Sequence, residues 1–383
     1  MKRIPRNERG MALAVAIFAL VVVGALVAGA FFAGTQEQRV GENQRRVQTS
    51  FGVAEAGAQE RVLGWNSLTM NKRPVYPADS VAIVNTPAPN GTGSYAGYSF
   101  RVGTNLFLID VTGRDNSSAA GAIAGGGGAR QRIGMLARIA PVQFGIRASL
   151  TTQGQVAMSG NANIVGVDQI PTGWVSCDPP GPSQAGVRDQ GGNVSETGNA
   201  TVLGTPPVVN DPTINNNTFT TFGGATYASL AAKANIVVPA GNYSTAPVVT
   251  NGVCDKNVLT NWGDGENPNA PCASYWPIIH ATGTITLNNT QGQGILLVDG
   301  DLNIQGSYQF FGIVVIQGDL KTAGGGNTDA HFWGGVMAKN ADLSTQSLSG
   351  KATLNFSSCA ILSALQATSP ISMMRSRGWA QLF

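Results

Sequence analysis

The hydrophobic pattern begins with a short basic stretch followed by an uninterrupted apolar one. From Met11 to Thr35, "MALAVAIFALVVVGALVAGAFFAGT", no charged side chain occurs in twenty-five residues. At about 1.5 Å per residue this run is long enough to cross a hydrocarbon core of about 30 Å. The next stretch, "TQEQRVGENQRRVQTSFGVAEAGAQERVLG", is mixed, and its Val40, Val47, Phe51, Ala54, Ala58 and Val62 fall on one side of a helix. Together they predict one helix over 11–64, about 80 Å long, with Gly41, Gly52 and Gly57 as bend points.

Beyond Trp65 the period shortens. "YSFRVGTNLFLIDVTGR" and "RQRIGMLARIA" read as strands, separated by the glycine-rich "SSAAGAIAGGGGA". Laid against the outer half of the helix, they predict a small antiparallel α+β module at 65–150. Further on, "ILLVDGDLNIQG" at 295–306 recurs eighteen residues later as "IVVIQGDLKTAG", with Gly300-Asp301-Leu302 matching Gly318-Asp319-Leu320. A third copy places Ala341-Asp342-Leu343 at a similar phase, and "VAMSGNANIVG" repeats the spacing of Gly300 and Gly306. Short apolar strands recurring at this period between Gly, Asn and Asp turns predict a C-terminal β-solenoid, a parallel β-helix, over 151–383. A Pro-, Gly- and Asn-rich loop insertion is expected at about 169–277. The fold class is therefore α+β followed by mostly β.

Charge refines this picture. Through Gly64 there are eight Lys or Arg against five Asp or Glu, and from Trp65 onward sixteen against sixteen. The body is neutral, so the electrostatic footprint of a general nucleic-acid binder is missing and no nucleic-acid partner is expected. Arg130, Arg132, Arg138 and Arg147 form a local basic stripe, read as solvated strand residues. Lys2, Arg3, Arg6 and Arg9 precede the span against Glu8, which predicts a cytoplasmic N-terminus and an extracytoplasmic body. A cleaved secretory signal is the simpler competitor, and Ala28-Gly29-Ala30 offers it a site, but Phe31, Phe32 and Ala33 continue the apolar run past that point.

The chemistry-bearing residues are sparse. Four cysteines, Cys177, Cys254, Cys272 and Cys359, include no CxxC pair, so neither a zinc site nor a thioredoxin-type motif is indicated. They allow three pairings. The favoured one is Cys254 with Cys272 across a turn-rich loop, worth roughly 3 kcal/mol in an oxidising compartment. Asp299, Asp301, Asp319 and Asp342 are candidate carboxylates for a polysaccharide-cleaving solenoid, but Asp301, Asp319 and Asp342 follow Gly or Ala and Asp299 precedes Gly300, all at turns where such side chains bond nearby backbone N–H groups. His280 and His331 lack metal-ligand spacing, and no phosphate-cradle, nucleophile-elbow or dinucleotide motif occurs. No catalytic residue, metal or cofactor is expected.

The basic leader ending in Arg9-Gly10, the run "MALAVAIFALVVV" and the helix "RVGENQRRVQTSFGVAEAGAQ" resemble the type IV pilin-like proteins, specifically the PilX N-terminal family of pilus assembly proteins. The resemblance covers about the first sixty residues. It implies a leader at 1–10 cut by a prepilin peptidase between Gly10 and Met11, and an inner-membrane helix at 11–64 that packs among other pilin-like subunits. It further implies partnership with pilus or secretion machinery, a periplasmic body and incorporation into a surface pilus. Major pilins carry Glu five residues after the cut to neutralise a neighbour's terminal amine. This chain has Val15 there, which points to a minor, tip or priming subunit, because a buried unpaired ammonium is costly. More loosely, "GQGILLVDGDLNIQGSYQFFGIVVIQGDLKTAG" is similar to the coil-forming halves attached to such N-termini. The alternatives are a membrane-anchored carbohydrate-active β-helix enzyme, or a pilus-associated adhesin using Tyr308, Phe310, Phe311, Phe332 and Trp333, although most of these aromatics are expected as core or stacked solenoid residues.

Overall fold

The computed structural model describes residues 9–89, 91–115, 128–140, 144–174, 177, 180–322, 329–344, 351–374 and 378–382. The leader ahead of Arg9 and the glycine-rich stretch at 116–127 lie outside the described residues.

Arg9–Leu63 is a single α-helix of 55 residues, α1. It runs through Gly41, Gly52 and Gly57 without a break, because isolated glycines cost only about 1 kcal/mol each and the segment contains no proline. Gly57 acts as a contact: a Cβ there would run into the ring of Tyr95. The predicted apolar stripe divides in two. Val53, Ala54 and Ala58 are buried against a sheet, whereas Val40 and Val47 are exposed.

That sheet is antiparallel, in the order Val81–Pro87, Gly93–Gly103, Leu106–Asp115, Arg130–Ile139. Its inner face presents Tyr95, Ile109, Val111, Ile133, Met135 and Ala137 to α1. Gly113 brings the backbones close, since a Cβ there would strike the Ser50 carbonyl and the Ala54 nitrogen. The far edge is closed by strands from the chain's other end. Ile371–Met373 and Trp379–Leu382 both pair with Arg130–Ile139. The small module thus reaches beyond 65–150, and the solenoid ends before 371 instead of running to the last residue. Nothing in the short "ISM" and "WAQL" indicates a distant partner.

The body is a stack of parallel strands in three columns, as the eighteen-residue recurrence predicts. Ile295 lies on Ile313, Leu302 on Leu320 and Gly294 on Gly312. From one end to the other the coils are 236–245, 278–294, 295–312, 313–334, 335–356, 148–165, 185–203 and the single strand Val208–Asn210. The chain therefore enters the stack in its interior, winds to one end, crosses back through 211–235, and winds inward from the other end. The last coil lands on the first, with Val336 on Leu150, Ala341 on Val156 and Leu354 on Ile164.

This order corrects the expected insertion at 169–277. Within it, 185–210 and 236–245 supply coils at the two ends of the stack. The coil strands there are three to five residues long, and only their inward positions, such as Val187, Val202, Ile236 and Val238, are apolar and buried. The repeat register is also corrected. Asp319 is stacked on Asn340, two residues before the expected Asp342, and the left-handed corner of Gly160 (φ 68°) corresponds to that of Gly306 (φ 72°), not to Gly300. A shift of two leaves every side chain on its own face, so the apolar pattern cannot detect it.

The middle strands of the first column are buried on both faces. Leu296, Val298, Val314 and Ile316 fill the interior, while Ile295, Leu297, Ile313 and Val315 point outward beneath the helix Ser358–Thr368 and the crossing residues Ile214, Phe219, Phe222 and Leu230. Burial on both faces explains why "ILLV" and "IVVI" are uninterrupted apolar runs. Where the third column turns into the first, Gly294, Gly312 and Gly334 form a ladder with φ of 115°, 130° and 140°. A Cβ at Gly312 or Gly334 would meet the carbonyl of the glycine one coil below.

Candidate functional site

Two parts of the molecule carry functional candidates: the uncovered half of α1, and the corner of the solenoid that holds the repeated aspartates.

Along α1, Leu13, Phe18 and Phe31 are 66%, 71% and 75% exposed, and Val15 is 65% exposed. The body covers the helix chiefly from Ser50 onward. At the border of the covered part lies the Glu42–Arg46 pair, one helical turn apart at 2.6 Å, with the Arg46 side chain only 13% exposed. Gly10 and Met11 lie in the first turn of α1.

At the corner between the first and second columns, each coil is hydrogen-bonded to the next through a side chain. Thr284 Oγ1 accepts from the Asp301 N–H at 3.1 Å, and Asp301 Oδ1 accepts from the Asp319 N–H at 3.0 Å. Asn340 Nδ2 donates to Asp319 Oδ1 at 2.8 Å, and Asn340 Oδ1 accepts from the Gln155 N–H at 3.1 Å. Lys321 bridges the stacked carboxylates, 2.9 Å from Asp301 and 3.4 Å from Asp319. The Asp319 N–H, followed by the Lys321 ammonium, draws the Asp301 carboxyl below its ordinary value despite some desolvation. The same carboxylate holds the Lys321 ammonium above its usual value. A cation between two carboxylates removes the repulsion that would otherwise raise one of them for general-acid work. Both side chains are about one-third exposed.

Asp299 belongs to a different cluster, which sequence spacing did not reveal. His280 Nε2 lies 3.0 Å from its Oδ1, and the Tyr227 hydroxyl donates to that same oxygen at 2.8 Å. Desolvation and this carboxylate push the Tyr227 phenol well above its ordinary value. Tyr227 comes from the crossing segment, so only the return path of the chain brings it to His280. His331 pairs separately with Asp329 at 2.7 Å. Among the described residues no three His, Cys, Asp or Glu side chains gather as a metal site.

The remaining candidates fall as follows. Cys254 is bonded to Cys272, and Cys177 to Cys359, the latter tying the loop after the coil 148–165 to the first turn of the helix Ser358–Thr368. Arg132 bonds Asp110 at 2.9 Å on the outer face of the small sheet, and Arg130, Arg138 and Arg147 are exposed. The aromatic surface considered for adhesion does not form: Tyr308, Phe310, Phe311 and Phe332 are buried and Trp333 is half-buried. Their burial agrees with the expectation that most of them are core residues.

No family model matches the chain, and no curated protein is similar to it in sequence. Among solved structures, the competence-associated pilin ComZ from Thermus thermophilus aligns with 88% of this chain and 97% of its own at 12% identity, with a TM-score of 0.26. That score is too low for the likeness to bear on fold or function.

Proposed function

We propose that the chain is a minor pilin-like subunit, at the tip or in priming, of a type IV pilus or a related secretion pseudopilus. In this reading α1 packs among the helices of other subunits in and above the inner membrane, and the solenoid is presented outside. The observation that supports it best is the division of α1. The inner part of the helix is locked under the sheet by Val53, Ala54 and Ala58, while the apolar surface from Leu13 to Phe32, and beyond it Val40 and Val47, is uncovered. A bilayer core of about 30 Å covers about twenty residues, so the exposed valines past Thr35 suit neighbouring helices better than lipid.

Prepilin peptidase would cut between Gly10 and Met11, and Val15 would leave the new terminal amine without a carboxylate from an identical neighbour, which disfavours a homopolymer. The aspartates of the solenoid corner serve as a structural ladder in this reading. Mass spectrometry of the membrane-extracted protein tests processing: a mature chain beginning at Met11 is expected, and one beginning at Met1 or Phe31 would reject the pilin reading. In isolated fibres the protein should be present at low stoichiometry or at one end only. Finding it as the dominant shaft component would overturn the minor role.

A further inference from the structure

Between the small module and the solenoid lies a cavity of about 680 Å³, within the range of small-molecule sites. Its floor is the helix Ser358–Thr368, its roof the segment 72–75 with Arg101 and Thr104, and its side wall Phe144, Ile146 and Phe356. Three cationic side chains, Lys72, Arg73 and Arg101, line it, and no described carboxylate does. Arg73 is paired with Asp79. Among the described residues the other two cations have only neutral partners. Arg101 donates to the carbonyls of Arg73, Gly103 and Thr104 at 2.9, 3.3 and 2.8 Å, and the Lys72 ammonium donates to Ser363 Oγ at 3.1 Å with the Trp276 ring 5.8 Å away. Burial, followed by the nearby Arg101 guanidinium, lowers the Lys72 pKa to about 8. An acid does lie on the far side of Lys72: Asp264 lines the adjoining cavity of about 170 Å³. Its Oδ1 accepts from the Asn267 N–H and Nδ2 and from Gln291 Nε2.

Two unneutralised cations at a shared cavity are expensive unless an anion offsets them. Most of the remaining lining is apolar, including Val75, Ile361 and Leu365, with Thr104, Ser358, Ser363 and Gln366 as its neutral polar members. We propose that this cavity binds a small amphipathic anion, its carboxylate or phosphate-monoester head between Lys72 and Arg101 and its apolar body against Phe144, Ile146, Ile361 and Leu365. Neither head group alone nor tail alone would use the whole lining, and a neutral amphiphile would leave both cations unpaired.

The test is equilibrium dialysis of labelled decanoate, decyl phosphate and decanol against the full chain in zwitterionic nanodiscs, with the uptake of empty discs subtracted. Saturable binding of about one anion per chain is expected, with decanol bound at least tenfold more weakly. Lys72→Met should weaken both anions at least tenfold. Leu362→Trp, at a partly exposed position on the cavity wall, should exclude them while leaving the charges and the fold in place, as checked by circular dichroism. A preference for decyl phosphate would identify a phosphate-headed amphiphile as the natural ligand, and the reverse preference a carboxylate; either ordering supports the site. Equal binding of decanol and decanoate, binding unchanged in Lys72→Met and Leu362→Trp, or no uptake above empty discs would overturn the proposal.

Discussion

The apolar run of α1 and the apolar runs in the first column of the solenoid are made of the same residue types, chiefly Val, Leu, Ile and Ala. Leu20 and Val21 are nevertheless more than 60% exposed, while Ile295, Leu296, Leu297 and Val298 are almost wholly buried. The strands at 295–298 and 313–316 have partners on both sides from elsewhere in the chain: the opposite walls of the coil inside, and the helix Ser358–Thr368 with the crossing segment outside. The first part of α1 has none. Hydrophobicity therefore marks surface that must be covered, and the arrangement of the rest of the chain decides whether the cover is internal.

The largest expected effect lies on the covered side. Leu302→Ala, at a site stacked on Leu320 inside the coil, should lower the stability of the body by about 2 to 5 kcal/mol, measured by denaturant unfolding. A loss under about 1 kcal/mol would mean that the coils are not packed as described. Next in size, replacing Cys254 and Cys272 together by Ser should cost roughly 3 kcal/mol, since the bond closes a loop with a sequence separation of 18. Non-reducing peptide mapping checks the pairing directly.

Smaller still is the effect expected at the corner ladder, where part of the surface meets water. Asp301→Asn should cost no more than about 1 kcal/mol at neutral pH, because the Lys321 bridge is partly exposed. It should also change the acid response. The folded pKa of Asp301 is depressed, so its contribution is fully present above the unfolded value and is lost as pH falls through the folded one. An acid titration followed by circular dichroism should show the native protein losing more stability than the variant in that window. Identical curves would remove the ladder's electrostatic role. The smallest effect belongs to the bare side: Leu20→Ala should leave the unfolding of the body within about 0.5 kcal/mol of the parent. A large loss there would mean that the body does cover this part of the helix.

The strongest local signals in the sequence were reliable because they come from periodicity within one element. An uncharged run followed by helically spaced Val, Ala and Phe specified α1, and the recurrence of Gly-Asp-Leu placed Leu302 over Leu320. The aspartates of that repeat were expected to bond backbone N–H groups at turns, and Asp301 bonds the Asp319 N–H. Lys321 between them was not foreseen, because a lysine two residues after Asp319 reaches Asp301 only through the stacking of the coils. The cluster of Tyr227, His280 and Asp299 was invisible for a similar reason. Its members are far apart in sequence and meet only across the returning segment.

The sequence by itself determined the course and length of α1, the extended character of 98–114, 130–140 and 295–321, and the register of neighbouring coils in the 295–321 repeat. Tertiary structure alone decided the order of the stack, the return of the last strands to the small sheet, and the enclosure of Lys72 between the two. The physical reason is that a coil end is completed by any strand of matching shape and apolar face, whatever its place in the chain. The joining of 335–356 to 148–165 depends on side-chain fit and backbone pairing across nearly two hundred residues, and such pairing leaves no periodic trace in either segment.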